Sequence, residues 1–226
     1  MAGNVVEKID GLVKVQHVLA SVSDKTGLEK LIPGLISTNP DVMIYSTGGT
    51  HKAIAEILGE KAEKNLTQVS AYTGQPEMQG GLVKTLDFKI YLGLLSETYN
   101  PAHADDLTRT GAVAIDMVVV NLYPFKETVA RPDATVEMAR ANVDIGGPCM
   151  VRASAKNYLR VASVTDPADY PSIVDELKAS GGSVSLATRF RLAKKSFAHT
   201  ADYDAAISTY LAARAEEEMR KAYTIA

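Results

Sequence analysis

Ala114 to Leu122 reads AIDMVVVNL, a run in which only Asp116 and Asn121 fall outside the apolar set. An extended chain that is apolar on both faces must be covered from above and below, which is the condition of a strand in a parallel sheet between helices. Working outward, Val15 to Val22 (VQHVLASV) is a second such strand and closes in Ser23-Asp24, good helix N-caps. Asp41 to Tyr45 (DVMIY), Leu66 to Ser70, Ile90 to Leu95 and Arg160 to Thr165 read as further strands. Between them the pattern predicts a helix from Lys25, interrupted at Pro33-Gly34, another over Thr50 to Leu58 and a third over Pro167 to Ser180. The stretch AYTGQPEMQGG is rich in turn formers and reads as irregular. From Leu186 to about Lys221 there is no strand signal, and the pattern is helical.

The expected fold class is therefore α/β, a mainly parallel sheet flanked by helices with a helical C-terminal extension. The expected division is an N-terminal segment (1–14), one α/β domain (15–184) and the extension packed on that same domain (185–226).

A chain of 226 residues, 46% hydrophobic and 23% charged, can bury a sizeable core. Its net charge of -3 argues against nucleic acid or an anionic membrane as the main partner. Cys149 is the one cysteine, so no internal disulfide can form, and a reducing compartment fits. The opening MAGNVVEKIDG lacks the basic and apolar regions of a secretory signal. Met117 to Val120, among the longest apolar runs, is too short to span a bilayer. A cytoplasmic protein is expected.

In open parallel sheets, ligands bind beyond the carboxyl ends of the strands. Three turns rich in glycine or hydroxyls fall at or near such positions: SVSDKTG, YSTGGT and DIGGP. The first two offer backbone amides at a helix start with the hydroxyls of Ser23, Thr26, Thr47 and Thr50, and Lys25 supplies charge. A phosphate suits that chemistry; each turn alone reads more readily as a plain cap, and the two in succession bring the phosphate reading level with it. No two glycines are spaced two apart and no glycine-lysine pair completes a P-loop, which removes the usual nucleotide fingerprints. His17, His51, His103 and His199 are scattered, so no metal site is expected.

The segments SVSDKTGLEKL, STGGTHKAI, VKTL, VVVNLYPF, VDIGG, RASAKN and SFAHTADYDAAIS follow one another in that order. Together they resemble the inosine monophosphate (IMP) cyclohydrolase module of the bifunctional purine-synthesis enzyme, AICAR formyltransferase/IMP cyclohydrolase, over about Val15 to Tyr210. The resemblance implies a methylglyoxal synthase-like fold. It also implies ring closure of a formamido-imidazole-carboxamide ribonucleotide to IMP, with loss of water and no cofactor or metal. It makes Lys84, Tyr123, Asp144 and Lys156 the expected catalytic residues. The substrate contacts it implies are Ser23, Asp24 and Lys25, then Thr47, Gly48, Gly49 and Thr50, and finally Thr85, Asn121, Ile145 and Gly146. A purine nucleoside monophosphate is the implied ligand, and a homodimer the implied assembly.

Spacing alone does not select Lys156, since a straight helix from Gly147 carries it roughly 13 Å away at 1.5 Å per residue. Two departures stand out. Leu82 and Asp87 occupy positions where the family has arginine and histidine, and Phe88 replaces a proline. Arg152, on the helical face of Lys156, is the expected substitute for the lost cation, with Lys89 the second choice. The chain also ends where the formyltransferase domain would begin, so a separately encoded AICAR formyltransferase is an expected partner. Two rivals share the fold: a nucleotide-sensing module without chemistry, and a lyase acting on a triose phosphate.

Overall fold

Successive residues of a strand point to opposite faces, so an unbroken apolar strand needs cover on both, and here it has it. The computed structural model describes residues 5–76 and 84–225. Its strands are β1 (Leu12–Lys14), β2 (His17–Val22), β3 (Met43–Ser46), β4 (Leu66–Gln68), β5 (Met117–Asn121), β6 (Ala162–Val164) and β7 (Ser183–Ser185). In the first half of the chain the helices are α1 (Leu28–Thr38), α2 (Gly48–Leu58), α3 (Ala62–Asn65), α4 (Val69–Thr73), α5 (Phe88–Leu95) and α6 (Pro101–Thr110). In the second half they are α7 (Phe125–Val129), α8 (Val136–Ala141), α9 (Gly146–Lys156), α10 (Tyr170–Ala179), α11 (Leu186–Ala212) and α12 (Glu216–Ala222).

Five strands form one sheet in the order β4-β3-β2-β5-β6, each neighbour parallel to the next. β1 and β7 form a separate antiparallel pair, Leu12 opposite Ser185. Val18, Ala20, Ile44, Met117 and Val119 face a core closed by Leu31 and Leu35 of α1, Ile54 of α2 and Ile173 of α10. Leu19, Tyr45, Val118 and Val120 face the opposite core, closed by Ile90 and Leu94 of α5, Met150 and Val151 of α9 and Tyr203 of α11. Each fully buried valine or leucine contributes at most about 1.5–3 kcal/mol. The sheet is thus the middle layer of three.

Two expectations are corrected. The helix from Lys25 is not broken at Pro33-Gly34: α1 starts at Leu28 and runs through both residues to Thr38. Proline costs it a backbone bond, but Leu28, Leu31, Ile32, Leu35 and Ile36 are all buried on its inner face. Gly34 lets α10 come close, since a Cβ there would lie 2.7 Å from a Val174 methyl. The second correction is that Ile90 to Leu95 is helix, not strand. A short apolar run has no period of its own, and here Asp87 decides, its carboxylate accepting the Lys89 amide at 2.8 Å as an N-cap. Gly93 seats that helix on the approach to β5, because a Cβ would lie 2.4 Å from the Val113 carbonyl oxygen. Smaller differences are Val69 and Ser70, which start α4 instead of extending β4, and the β1–β7 pair, whose strands are too short to show an alternation.

The C-terminal helix α11 lies against α9 and β6. Its anchor is Arg189, whose side chain is fully buried and donates to the carbonyls of Tyr158 at 3.0 Å, Leu159 at 3.1 Å, Val184 at 2.5 Å and Asp10 at 2.6 Å. One guanidinium thereby joins the N-terminal segment, the turn after α9 and the start of α11. Replacing Arg189 by alanine strands those carbonyls, each costing about 1–3 kcal/mol when buried and unpaired. The expected result for Arg189→Ala is a melting temperature lower by at least about 8 °C, the low end for four carbonyls at about 1 kcal/mol each and about 2 °C per kcal/mol in a chain of this size. Thermal unfolding followed by circular dichroism checks it; a shift under about 2 °C would contradict the anchoring role.

Candidate active site

β2 has β3 on one side and β5 on the other, so the chain leaves it in both directions and a crevice opens at its carboxyl end. The cleft found there has a volume of about 450 Å³. Five segments contribute to its lining: Ser21, Val22, Ser23 and Lys25 at and beyond the end of β2, Thr47–Thr50 after β3, Lys84–Leu86, Asn121 and Tyr123 at and beyond the end of β5, and the stretch from Asp144 into α9.

The turn after β2 is held from across the sheet. Asn121 Oδ1 accepts the amides of Ser23 at 2.6 Å and Asp24 at 2.8 Å, and its Nδ2 donates to the Asp24 carbonyl at 2.7 Å. Both functions of that side chain are therefore engaged. The Asp24 carboxylate accepts the Thr26 amide at 2.9 Å, and bonding to Thr26 holds its pKa below the usual carboxylate range. Thr50 is similarly engaged, its hydroxyl accepting the Val22 amide and donating to the Val22 carbonyl, both at 3.0 Å. Thr47 Oγ1 lies 3.0 Å from Ser21 Oγ.

Helix α2 opens on Gly48 and Gly49, and the first amides of a helix have no acceptor within it. Two ammonium groups lie close to these glycines, that of Lys25 also donating to the Ser23 carbonyl at 3.2 Å. A Cβ on Gly48 would lie 3.2 Å from Lys84 Nζ, and one on Gly49 would lie 3.9 Å from Lys25 Nζ. Gly48 also has φ of +44°, a conformation that favours glycine. Side chains at either position would fill the space between amides and lysines, so the glycines keep open a cradle suited to a dianion.

The second glycine pair has a different purpose. Gly146 lies under Thr85, whose Oγ1 would be 2.5 Å from a Cβ. Gly147 lies under Asp144 and Leu122, with Asp144 Oδ2 at 2.5 Å and Leu122 Cδ2 at 2.6 Å from where its Cβ would be. Gly147 donates its amide to Asp144 Oδ1 at 2.8 Å. Burial pushes the Asp144 carboxyl above its ordinary pKa, and the amides of Gly147 and Tyr123 only partly oppose that. Tyr123 is 51% exposed at the mouth.

The structure brings Ser23, Lys25, Thr47, Gly48, Gly49, Thr50, Lys84, Thr85, Asn121, Tyr123, Asp144, Ile145 and Gly146 to one cleft. Asp24 does not line it: its backbone is held by Asn121 and its carboxylate turns to Thr26. Arg152 and Lys156 are also away from the cleft, which corrects the placement expected for them. Both lie on the exposed face of α9, Lys156 at its far end and so roughly 15 Å along the axis from Gly146. The Arg152 guanidinium sits 5.7 Å from the centre of the Phe197 ring. Leu82 falls outside the described residues. Lys89 is not a substitute cation either, since its ammonium donates to the Tyr72 carbonyl at 3.3 Å. Ser21, Val22, Leu86, Gly147 and Met150 also line the cleft and were not expected there. Met150 was within reach of pattern reasoning, one helical turn after Gly146 on the same face.

Among the described residues no group of three histidine, cysteine or acidic side chains could hold a metal, and no helix is long and apolar enough to cross a membrane.

Residues 27–149 match the family model described as MGS-like domain, and residues 154–226 match the one described as AICARFT/IMPCHase bienzyme. A solved structure titled "Crystal structure of ForH" is similar at a TM-score of 0.72 and 30% sequence identity, covering 86% of this chain and 97% of that one.

The state of Asp144 can be tested without any ligand. Because folding raises its pKa, its contribution to stability is complete below the unfolded value and is lost as pH rises through the folded value. Asp144→Asn keeps an acceptor for the Gly147 amide and has no charge to bury. Its melting temperature relative to wild type is therefore expected to rise between pH 4 and pH 7.5. A difference that stays flat, or falls, over that range would show that Asp144 is not a desolvated carboxylate.

Proposed function

This chain belongs to the MGS-like domain family, and we propose that within it the chain is an IMP cyclohydrolase. It closes 5-formamido-1-(5-phosphoribosyl)imidazole-4-carboxamide to IMP with loss of water. The observation that carries this reading is that one cleft holds a phosphate cradle, Lys25 and Lys84 over the start of α2, and a desolvated carboxylate, Asp144. The match of residues 154–226 to the AICARFT/IMPCHase description supports the same reading.

In this scheme the 5′-phosphate lies on the Gly48 and Gly49 amides between the two ammonium groups. The flat heterocycle lies toward Leu86, Ile145 and Met150, the apolar part of the lining. The carboxamide nitrogen then attacks the formyl carbon, forming the new C–N bond. Asp144 takes the proton from that nitrogen, and its raised pKa makes it a stronger base than an ordinary carboxylate. The Tyr123 hydroxyl donates to the formyl oxygen as it gains charge. One proton from the carboxamide nitrogen and one from the formamide nitrogen finally depart with that oxygen as water. The reacting groups are neighbours on one ring, so holding them face to face is a large part of the catalysis. No step needs a metal or a cofactor. Lys84 thereby serves the phosphate, while Asp144 and Tyr123 carry the proton and the oxyanion. The homodimer and the cytoplasmic location belong to this same proposal, the first resting on the resemblance and the second also on the lone cysteine, Cys149.

Incubating the purified chain with the formamido nucleotide, and following purine absorbance, tests the reading. Turnover without added metal is expected; nucleotide binding without turnover would favour a sensing module. The placement of charge gives a second test, by calorimetric titration with IMP. Lys84→Ala loses one charge-assisted bond of about 1.5–3 kcal/mol and is expected to bind roughly ten- to a hundredfold more weakly. Arg152→Ala is expected to bind within about threefold of wild type. The reverse order would put the phosphate elsewhere.

A further inference from the structure

Asp144 lies on a turn, and a turn does not fix a carboxylate by itself. The amides of Gly147 and Tyr123 hold the carboxylate, and the side chain that holds the backbone of the turn comes from α11. Tyr203 of α11 is 6% exposed, and its hydroxyl accepts the Asp144 amide at 2.9 Å while donating to the Asn142 carbonyl at 3.0 Å. One phenol thus closes the turn between α8 and α9 from both sides. The same ring meets Phe125 edge-on, with centroids 6.2 Å apart and planes at 68°. Phe125 follows Tyr123 and Pro124, so the aromatic contact braces the segment that presents Tyr123. Tyr210, two turns further along α11, stands edge-on to the same Phe125 at 5.8 Å. Its hydroxyl makes no hydrogen bond among the described residues, so it supplies packing without the clamp.

We propose that Tyr203 is a positioning residue: its hydroxyl sets the Asp144 turn and its ring sets the Tyr123 segment, so that both groups face one substrate. This rests on the cyclohydrolase reading for what the two groups do, but the clamp itself is independent of it. The proposal also gives the C-terminal extension a task at the site, through a residue that never enters the cleft. Tyr203 is absent from the cleft lining, whereas Asp144 and Tyr123 are both in it.

Tyr203→Phe removes the hydroxyl and keeps the ring. Its turnover is expected to fall at least about tenfold while its affinity for IMP stays within about threefold of wild type. With the clamp open, water reaches Asp144, the burial that raises its pKa weakens, and the acid limb of the pH–rate profile is expected to move to lower pH. A purely structural tyrosine would lower the melting temperature and leave the profile in place. Tyr210→Phe, the control, is expected to match wild type in both rate and profile. Hydrogen exchange supplies a readout that needs no activity, and its wild-type half does not depend on the variant folding. The Asp144 amide of wild type is expected to be protected, and in Tyr203→Phe to exchange at least about tenfold faster. An unprotected Asp144 amide in wild type, or a Tyr203→Phe variant within about twofold of wild type in both turnover and Asp144 exchange, would overturn the proposal. If wild type binds IMP without converting it, the cyclohydrolase reading fails, and exchange alone decides the clamp.

Discussion

A parallel sheet that buries both faces has its ligand-accessible backbone at the strand ends, and β2 decides which end and where. With β3 and β5 on its two sides, the turns after all three strands face one another instead of being spread along the sheet edge. The Asn121 side chain then takes the slack out of the arrangement by bonding the amides of Ser23 and Asp24 from the neighbouring strand end. Everything placed in the cleft afterwards, two lysines, two glycine pairs and one carboxylate, depends on those turns being held.

The cleft carries charge of both signs. The helix start and the ammonium groups of Lys25 and Lys84 provide a local positive field in a chain whose net charge is -3. Asp144 lines the same cleft, half-buried, with its pKa pushed up. A ligand that is anionic at one end and gives up protons at the other satisfies both, and a phosphorylated heterocycle is such a molecule. The two glycine pairs differ in their reason: one leaves room for a ligand, the other lets protein atoms close in on one another.

Much of this was legible in the sequence, and the parts that were not have identifiable causes. The runs VQHVLASV and AIDMVVVNL showed their strands because burial on both faces leaves an unmistakable apolar run. IYLGLL did not reveal a helix, because its direction is set by the Asp87 cap and by the Gly93 contact with Val113, both outside any periodicity. The turns SDK and TGGT could be placed at strand ends and DIGG at a helix start, and the three do meet at one cleft. Arg152 and Lys156 could not be placed that way, since spacing gives the face they share on a helix but not which neighbour that face meets; here it meets Phe197 and solvent. Tyr203 lies within SFAHTADYDAAIS, and nothing in that motif points to its partner, because the contact from α11 to the turn before α9 spans 59 residues of sequence.

The central claim is that the start of α2, between Lys25 and Lys84, receives the phosphate of a purine nucleotide whose base reaches Asp144. A crystal structure of the chain with IMP tests this most directly. The account expects phosphate oxygens within hydrogen-bond distance of the Gly48 and Gly49 amides and of both ammonium groups. It also expects the purine ring between Leu86 and Ile145, with its pyrimidine edge toward Asp144 and Tyr123. Phosphate density at Arg152 or Lys156 on the outer face of α9, or a nucleotide bound with its base on the glycine turn of α2, would contradict it.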